Sequence, residues 1–319
     1  MNQDRFDYLE IGKPPPPSAQ TAPFVAPALK AVQIIGGPGV DLGEFNTPCG
    51  LAVDGYGNLY VADTNNHRVQ KITPDGEVYG IGLPRGQQGP GALSAPIAVA
   101  VDNLMGIYVL EHGAGRISKF DPVGRFVECF SAPGEQIGFL KLPRGMFRDD
   151  LGRLYVADTG NRRVQVFDSR GKFLDILGGV LASGNVAGPQ AVTMDREHRI
   201  WVADGANHRL LIFNSSGGRI GSLGSPGDGP GQLYDPTGIV VTPDDSVVVA
   251  EHGNGRVSVL GQDGTLIAAY RATAQAARLD APHALALARD ESLYVSDTIN
   301  HRILKLEYKG GAAPSLRNP

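Results

Sequence analysis

The sequence predicts an all-β protein, a six-bladed β-propeller built from four-stranded antiparallel blades. Three observations carry this. The phrase YVADTNNHRVQKI at Tyr60 returns in altered form at Tyr108, Tyr155, Trp201, Val248 and Tyr294, with starts 46 to 48 residues apart. A near-constant period of this size marks a repeat architecture. Within each unit, short runs of Val, Ile, Leu and Tyr alternate with polar residues, as half-buried strands do. The chain also carries 43 glycines and 23 prolines, enough to turn between many short strands. Six units of four strands are the mark of a six-bladed ring.

The elements follow in chain order. Residues 1–28 contain no repeat phrase and read as an extended arm. Pro14 to Pro17 favours polyproline II and cannot enter a sheet interior. Before it, Phe6, Tyr8, Leu9 and Ile11 stand among Asp4, Arg5, Asp7 and Glu10. These apolar groups are too few to bury on themselves and suit a groove on another protein. The repeat body spans 29–310, with a tail at 311–319. In the first unit, strands are expected at Gly50–Asp54, Leu59–Ala62, Arg68–Thr73 and Val78–Ile81, with turns at Gly55–Asn58, Asp63–His67 and Pro74–Gly76. The sixth unit offers Ala284–Leu287, Ser292–Ser296 and Arg302–Leu306 and then lacks a fourth strand. A spare strand, Lys30–Ile35, precedes the first unit; pairing it into the last blade would close the ring and remove both edges. An open solenoid would need atypical polar end units, and none is visible.

Composition narrows the function. The formal net charge of −4 argues against a surface made chiefly to neutralise phosphates. The two cysteines, Cys49 and Cys129, form no disulfide framework and suit a reducing compartment. No apolar stretch is long enough to span a bilayer, and the first residues show no signal-peptide pattern. A cytoplasmic location without membrane insertion is expected.

Asn-His-Arg recurs at Asn66-His67-Arg68, Asn207-His208-Arg209 and Asn300-His301-Arg302, and the stretch GEFNTPCGLAVDGYGNLYVAD precedes the first. In these the units resemble NHL repeats over roughly residues 30–310. The resemblance implies a six-bladed propeller. It leaves function open, because one scaffold serves enzymes, sensors and assembly platforms. Units two and five also share Glu-His-Gly-x-Gly-Arg, at Glu111-His112 and Glu251-His252, which suggests duplication of a three-blade half.

In such a ring, the entries of the inner strands and the turns between second and third strands open on one face. That face collects two rings of residues. The entries place Cys49, Ile97, Arg144, Gln190, Thr237 and His283; the turns place Asp63, Glu111, Asp158, Asp204, Glu251 and Asp297. Each acid precedes an arginine by five residues, so the acids are expected to be structural staples rather than catalytic groups. His67, His208 and His301 belong to the repeat phrase and are expected to pack the turn. A sharper reading makes Glu111, His112, Glu251 and His252 a metal or anion site, but opposite blades hold them apart, and zinc needs closer convergence.

His283 follows Pro282 in a way that resembles the zinc-binding Pro-His of the amidating lyases of this fold. Those use three histidines on alternate blades, and here the matching positions are Ile97 and Gln190. The lyase triad is absent, and no carboxylate stands at an entry to hold a divalent ion as gluconolactonase-like propellers do. No metal and no cofactor are expected. Cys49 and His283 come from adjacent blades once the ring closes, the minimum pair for nucleophilic catalysis; an unrelated buried thiol and imidazole are the simpler reading. The mouth residues Cys49, Arg144, Gln190, Thr237 and His283 can hold a small anion or a peptide end. Some animal NHL propellers bind RNA on a basic face, but the arginines here are matched to the staple acids, and nucleic acid is not favoured. The expectation is a non-enzymatic platform that docks other protein subunits on its loop faces and through its arm. The alternative is an enzyme or small-ligand binder at the channel mouth.

Overall fold

The computed structural model describes residues 29–84, 86–177, 186–271 and 278–307. The arm and the tail lie outside these, so their predicted roles stay as expectations.

Each unit folds as predicted into one four-stranded antiparallel sheet. Blade one comprises β2 (Pro48–Val53), β3 (Leu59–Asp63), β4 (Arg68–Ile72) and β5 (Val78–Ile81). Blade two holds β6 (Pro96–Val101), β7 (Ile107–Glu111), β8 (Arg116–Phe120) and β9 (Phe126–Phe130). Blade three holds β10 (Gly145–Arg148), β11 (Leu154–Asp158), β12 (Arg163–Phe167) and β13 (Phe173–Ile176). Blade four holds β14 (Pro189–Met194), β15 (Ile200–Asp204), β16 (Arg209–Phe213) and β17 (Arg219–Leu223). Blade five holds β18 (Pro236–Val241), β19 (Val247–Glu251), β20 (Arg256–Leu260) and β21 (Leu266–Tyr270). Blade six has β22 (Pro282–Leu287), β23 (Ser292–Asp297) and β24 (Arg302–Glu307). Its outer strand is β1 (Lys30–Ile35), antiparallel to β24 with Lys30 opposite Glu307 and Ile35 opposite Ile303.

Inner strands begin at the proline itself in every blade but the third, two residues earlier than expected in blades one and six. Proline is tolerated as the first residue of a strand, where no ladder donor is required. The expected Asp63–His67 turn is a single 3-10 turn, Thr64–Asn66, closed by His67 in the left-handed region at φ 55°.

There is no single core. Apolar side chains fill six wedges, each between neighbouring blades. Tyr60, Val69 and Ile81 of blade one meet Val99, Val109 and Phe120 of blade two. Leu51, Val61 and Ile72 meet Ala286 and Ile303, which joins blade one to blade six. Strand β2 packs against both β6 and β22, so the ring is closed.

The inner strands approach unevenly. After the entry residue stands glycine in blades one, three and five (Gly50, Gly145, Gly238) and alanine in the others (Ala98, Ala191, Ala284). A Cβ on Gly50 would lie 2.5 Å from the Cα of Ala98, one on Gly145 2.3 Å from the Gln190 oxygen, and one on Gly238 2.6 Å from the His283 oxygen. Only a residue without a side chain allows the backbones so close.

Candidate functional site

All six acid–arginine pairs form. Arg68 Nε donates to Asp63 at 2.8 Å, Arg116 to Glu111 at 2.8 Å, Arg163 to Asp158 at 2.7 Å, Arg209 to Asp204 at 3.2 Å, Arg256 to Glu251 at 2.6 Å and Arg302 to Asp297 at 2.7 Å. Every one of these carboxylates is fully buried. Asp63 also accepts from the Asn46 amide, Asn66 and Gln70, while Arg68 reaches the carbonyls of Val40, Asp41 and Glu44. The acid therefore ties its own turn to the loop that enters its blade.

One feature of these staples escaped the sequence reading. Where the acid is aspartate in blades one and three, the residue seven places on is glutamine: Gln70 and Gln165 each donate to the carboxylate at 3.0 Å. Where it is glutamate, that residue is serine: Ser118 and Ser258 donate at 2.5 Å. In these four blades a long acid takes a short donor and a short acid a long one; in blades four and six the position is Leu211 and Leu304. Glu111 and Glu251 are thus committed to staples and are not offered to a metal. Among the described residues, no group of three or more His, Cys, Asp or Glu is placed to hold a metal ion.

A second set of bonds joins blade to blade. The hydroxyl of Thr64 donates to the Pro96 carbonyl at 2.8 Å, Thr159 to Pro189 at 2.6 Å and Thr298 to Pro48 at 2.8 Å. In blade two the same position is His112, whose Nδ1 donates to the Pro143 carbonyl at 3.0 Å. The histidines of the repeat phrase act similarly. His67, His208 and His301 accept through Nδ1 from the amides of Ala95, Asp235 and Thr47, each in the following blade, at 2.9 to 3.0 Å.

In blade four the threonine position is Gly205. A Cβ there would lie 2.8 Å from both Asp235 Oδ1 and Gln190 Cγ, so the missing side chain lets these two groups turn inward together. Around them lies the channel mouth. Arg144, from blade three, is felt electrostatically by Cys49, His112, Asp235, His252 and His283, which come from four other blades. His112 and His252 thus belong to the same mouth as His283.

The mouth is unusual in its unmet hydrogen bonds. His283 is 4 % exposed, and among the described residues neither ring nitrogen has a hydrogen-bond partner. Gln190 Oε1 and Asp235 Oδ1, on side chains 8 % and 3 % exposed, have none either. Leaving one buried polar atom unsatisfied costs about 1–3 kcal/mol, so four in one rim are expensive. Burial, then Arg144, His252 and His112, push His283 down to about 3, which makes it a neutral imidazole. His112 and His252 are also lowered, chiefly by burial, and burial raises Asp235.

Cys49 and His283 share this rim but no hydrogen bond. The thiol donates to the Thr47 carbonyl at 3.6 Å, and burial pushes it up to about 11, so it stays protonated near neutrality. Thr237 donates to the carbonyl of Pro282 at 2.9 Å, an inter-blade role like that of Thr298. Phe6, Tyr8, Leu9 and Ile11 lie outside the described residues.

The NHL repeat family model matches residues 45–72, 140–167, 187–213 and 233–260. These are four of the six units that the blades display. The chain is a six-bladed propeller, four of whose units match the NHL repeat. Blades two and six carry the same staples, Glu111–Arg116 and Asp297–Arg302. The chain is 53 % identical over 38 residues to the B-box type zinc finger protein ncl-1 of Caenorhabditis elegans, which covers 12 % of this chain and 4 % of that one. It therefore spans a small fraction of that relative. Among solved structures it is similar to a streptogramin B lyase, with 14 % identity, a TM-score of 0.62, and 87 % of this chain and 99 % of that one covered. Virginiamycin B lyase from Staphylococcus aureus follows at 15 % identity and TM-score 0.59, with 84 % and 99 % covered. A nidogen/laminin complex is similar at 20 % and 0.59, with 70 % and 80 % covered. At these identities the likeness is one of fold. No helix among the described residues is long and apolar enough to cross a membrane.

The opposite face of the propeller is also uneven. Each inner strand leads into a turn there whose third residue points outward. In blades one to three it is Tyr56, Leu104 and Leu151, at 77, 84 and 79 % exposure. In blades four to six it is Glu197, Asp244 and Asp290, all exposed. At this position one half of the ring is therefore apolar and the other half acidic, with Glu197 3.3 Å from Arg199 and Asp290 3.7 Å from Lys305. The sequence held this pattern at a fixed offset, in positions that differ between units rather than repeat.

Proposed function

We propose that this propeller is a non-enzymatic interaction platform that docks another protein on the face away from the channel mouth. The observation that carries this reading is the trio Tyr56, Leu104 and Leu151, displayed on three consecutive blades at positions where the other three carry carboxylates. Large apolar side chains held on short, well-bonded turns cost little entropy to bury, which is what an interface anchor needs. The acidic half beside them gives the partner its chemistry: an apolar segment flanked by Lys or Arg that reach Glu197, Asp244 and Asp290. The nidogen/laminin structure is a protein complex on a similar fold, which supports the reading by analogy. The N-terminal arm adds a contact through Phe6, Tyr8, Leu9 and Ile11.

The test is a triple variant, Tyr56→Ser, Leu104→Asp and Leu151→Asp, used as bait beside the parent in its native extract, with cross-links mapped. Loss of a parent-specific partner whose cross-links fall on blades one to three, at unchanged melting temperature, is the expected result. Recovery of the same proteins by the triple variant refutes the platform. Removing residues 1–20 should lower partner recovery without changing the melting temperature; equal recovery refutes the arm alone.

A further inference from the structure

We propose that the channel mouth binds a small carboxylate carrying its own hydrogen-bond donor, an amino or hydroxy acid, with Arg144 taking the carboxylate and Asp235, Gln190 and His283 taking the donor side. This goes beyond the platform reading, which uses the opposite face.

Four observations converge. Among the described residues Arg144 makes no side-chain hydrogen bond or ion pair, yet its charge is felt by groups of four other blades, so it faces the mouth they share. A guanidinium matches a carboxylate with two parallel N–H bonds. The mouth also holds buried acceptors without partners among the described residues, Gln190 Oε1 and Asp235 Oδ1, and the His283 ring with both nitrogens unmet. A neutral imidazole offers one donor and one acceptor, so the unmet set holds more acceptors than donors. An inorganic anion, which brings acceptors only, would satisfy Arg144 and leave the rest unmet. A metal ion would meet a fixed positive charge. Finally, Gly205 stands where blades one, three and six carry threonine, and a methyl group there would sit 2.8 Å from both Asp235 Oδ1 and the Gln190 side chain. The space beside these acceptors depends on that glycine.

The geometry separates the ligand into two ends, and the experiment reads each. Titration calorimetry of the full chain would use L-alanine, L-lactate and acetate as probes. Saturable binding of alanine or lactate, with acetate weaker by about tenfold or more, is the expected result, and the preferred probe tells an amino from a hydroxy acid. Arg144→Gln should remove saturable binding of all three. Gly205→Ala should weaken alanine or lactate toward the acetate level while leaving acetate unchanged. If Gly205→Ala does not fold, the shift of the His283 ring resonances on adding the preferred probe replaces it. No saturable binding of either acid, binding unaffected by Arg144→Gln, or acetate bound as tightly as the others overturns the assignment. Because Arg144→Gln leaves Tyr56, Leu104 and Leu151 untouched, it should recover the same protein partners as the parent, so this proposal and the platform fail separately.

Discussion

Thr298 in the sixth blade gives its hydroxyl to the carbonyl of Pro48 in the first, at 2.8 Å and 250 residues away along the chain. The same bond made by Thr64 and Thr159 joins sequential blades; here it joins the two ends of the ring. Thr298→Val removes a donor to a buried carbonyl at nearly constant volume and should destabilise by about 1–3 kcal/mol. Chemical denaturation of Thr298→Val beside Thr64→Val measures it. A shift of Thr298→Val within error of the parent would show that the closing bond carries no weight.

Closure also depends on β1. Deleting residues 1–36 leaves β24 with a bare edge, and an unpaired edge of Ile303, Leu304 and Leu306 is an invitation to pair with another chain. The truncated protein should aggregate or melt far below the parent. A monomer with parental melting refutes closure by this strand.

The buried staples should be the least replaceable groups. Asp158→Ala strands Arg163, Asn161, Gln165 and the Lys141 amide at once, and unmaking a buried pair from one side costs about 3–5 kcal/mol. The coupling of acid length to donor length makes a finer test. Glu111→Asp should destabilise, and adding Ser118→Gln should recover part of the loss, copying blade one. Urea denaturation of the two singles and the double gives the coupling; strict additivity would show that the two positions do not talk.

The two thiols should behave differently. Cys129 is exposed and Cys49 is buried with its thiol raised to about 11. A thiol reagent at pH 8 should label one group at once and the second only after unfolding. Rapid labelling of two thiols in the native state would contradict this.

Much of the fold was legible because the phrase around Tyr60 carries its own turn, staple and strand chemistry, and repeats it. The missing fourth strand of unit six made Lys30–Ile35 its obvious complement. The mouth was only half legible. Arg144 and His283 followed from their place after the proline. Asp235, one residue before a proline, turns inward where Gly205 leaves room, which is a tertiary fact. The Gln70 and Ser118 pairing and the Tyr56, Leu104 and Leu151 trio were present as text, but in what varies between units, whereas periodicity directs the eye to what recurs.

The mouth should also set the acid limb of stability. His283 titrates at about 3 in the folded protein against about 6.5 when unfolded. Its folded value is depressed, so the unfolded chain binds the proton first, and stability falls as pH drops from 6.5 toward 3. Between pH 7.5 and 5 this one group should cost about 2 kcal/mol. His112 and His252, also lowered, act in the same direction. His283→Gln should flatten the pH dependence of the melting temperature over that window; an unchanged slope would remove His283 from the account.

The alternation of Gly50, Ala98, Gly145, Ala191, Gly238 and Ala284 bears on how such a ring can grow or shrink through evolution. A tight seam follows each glycine blade, and the alanine blade after it tolerates a methyl. Losing or gaining one blade would set two blades of the same kind side by side, and a methyl at a glycine seam would run into backbone at 2.3 to 2.6 Å. Losing or gaining two keeps the order. The seam alternation of this ring therefore repeats every two blades, and only an even change in blade number preserves it.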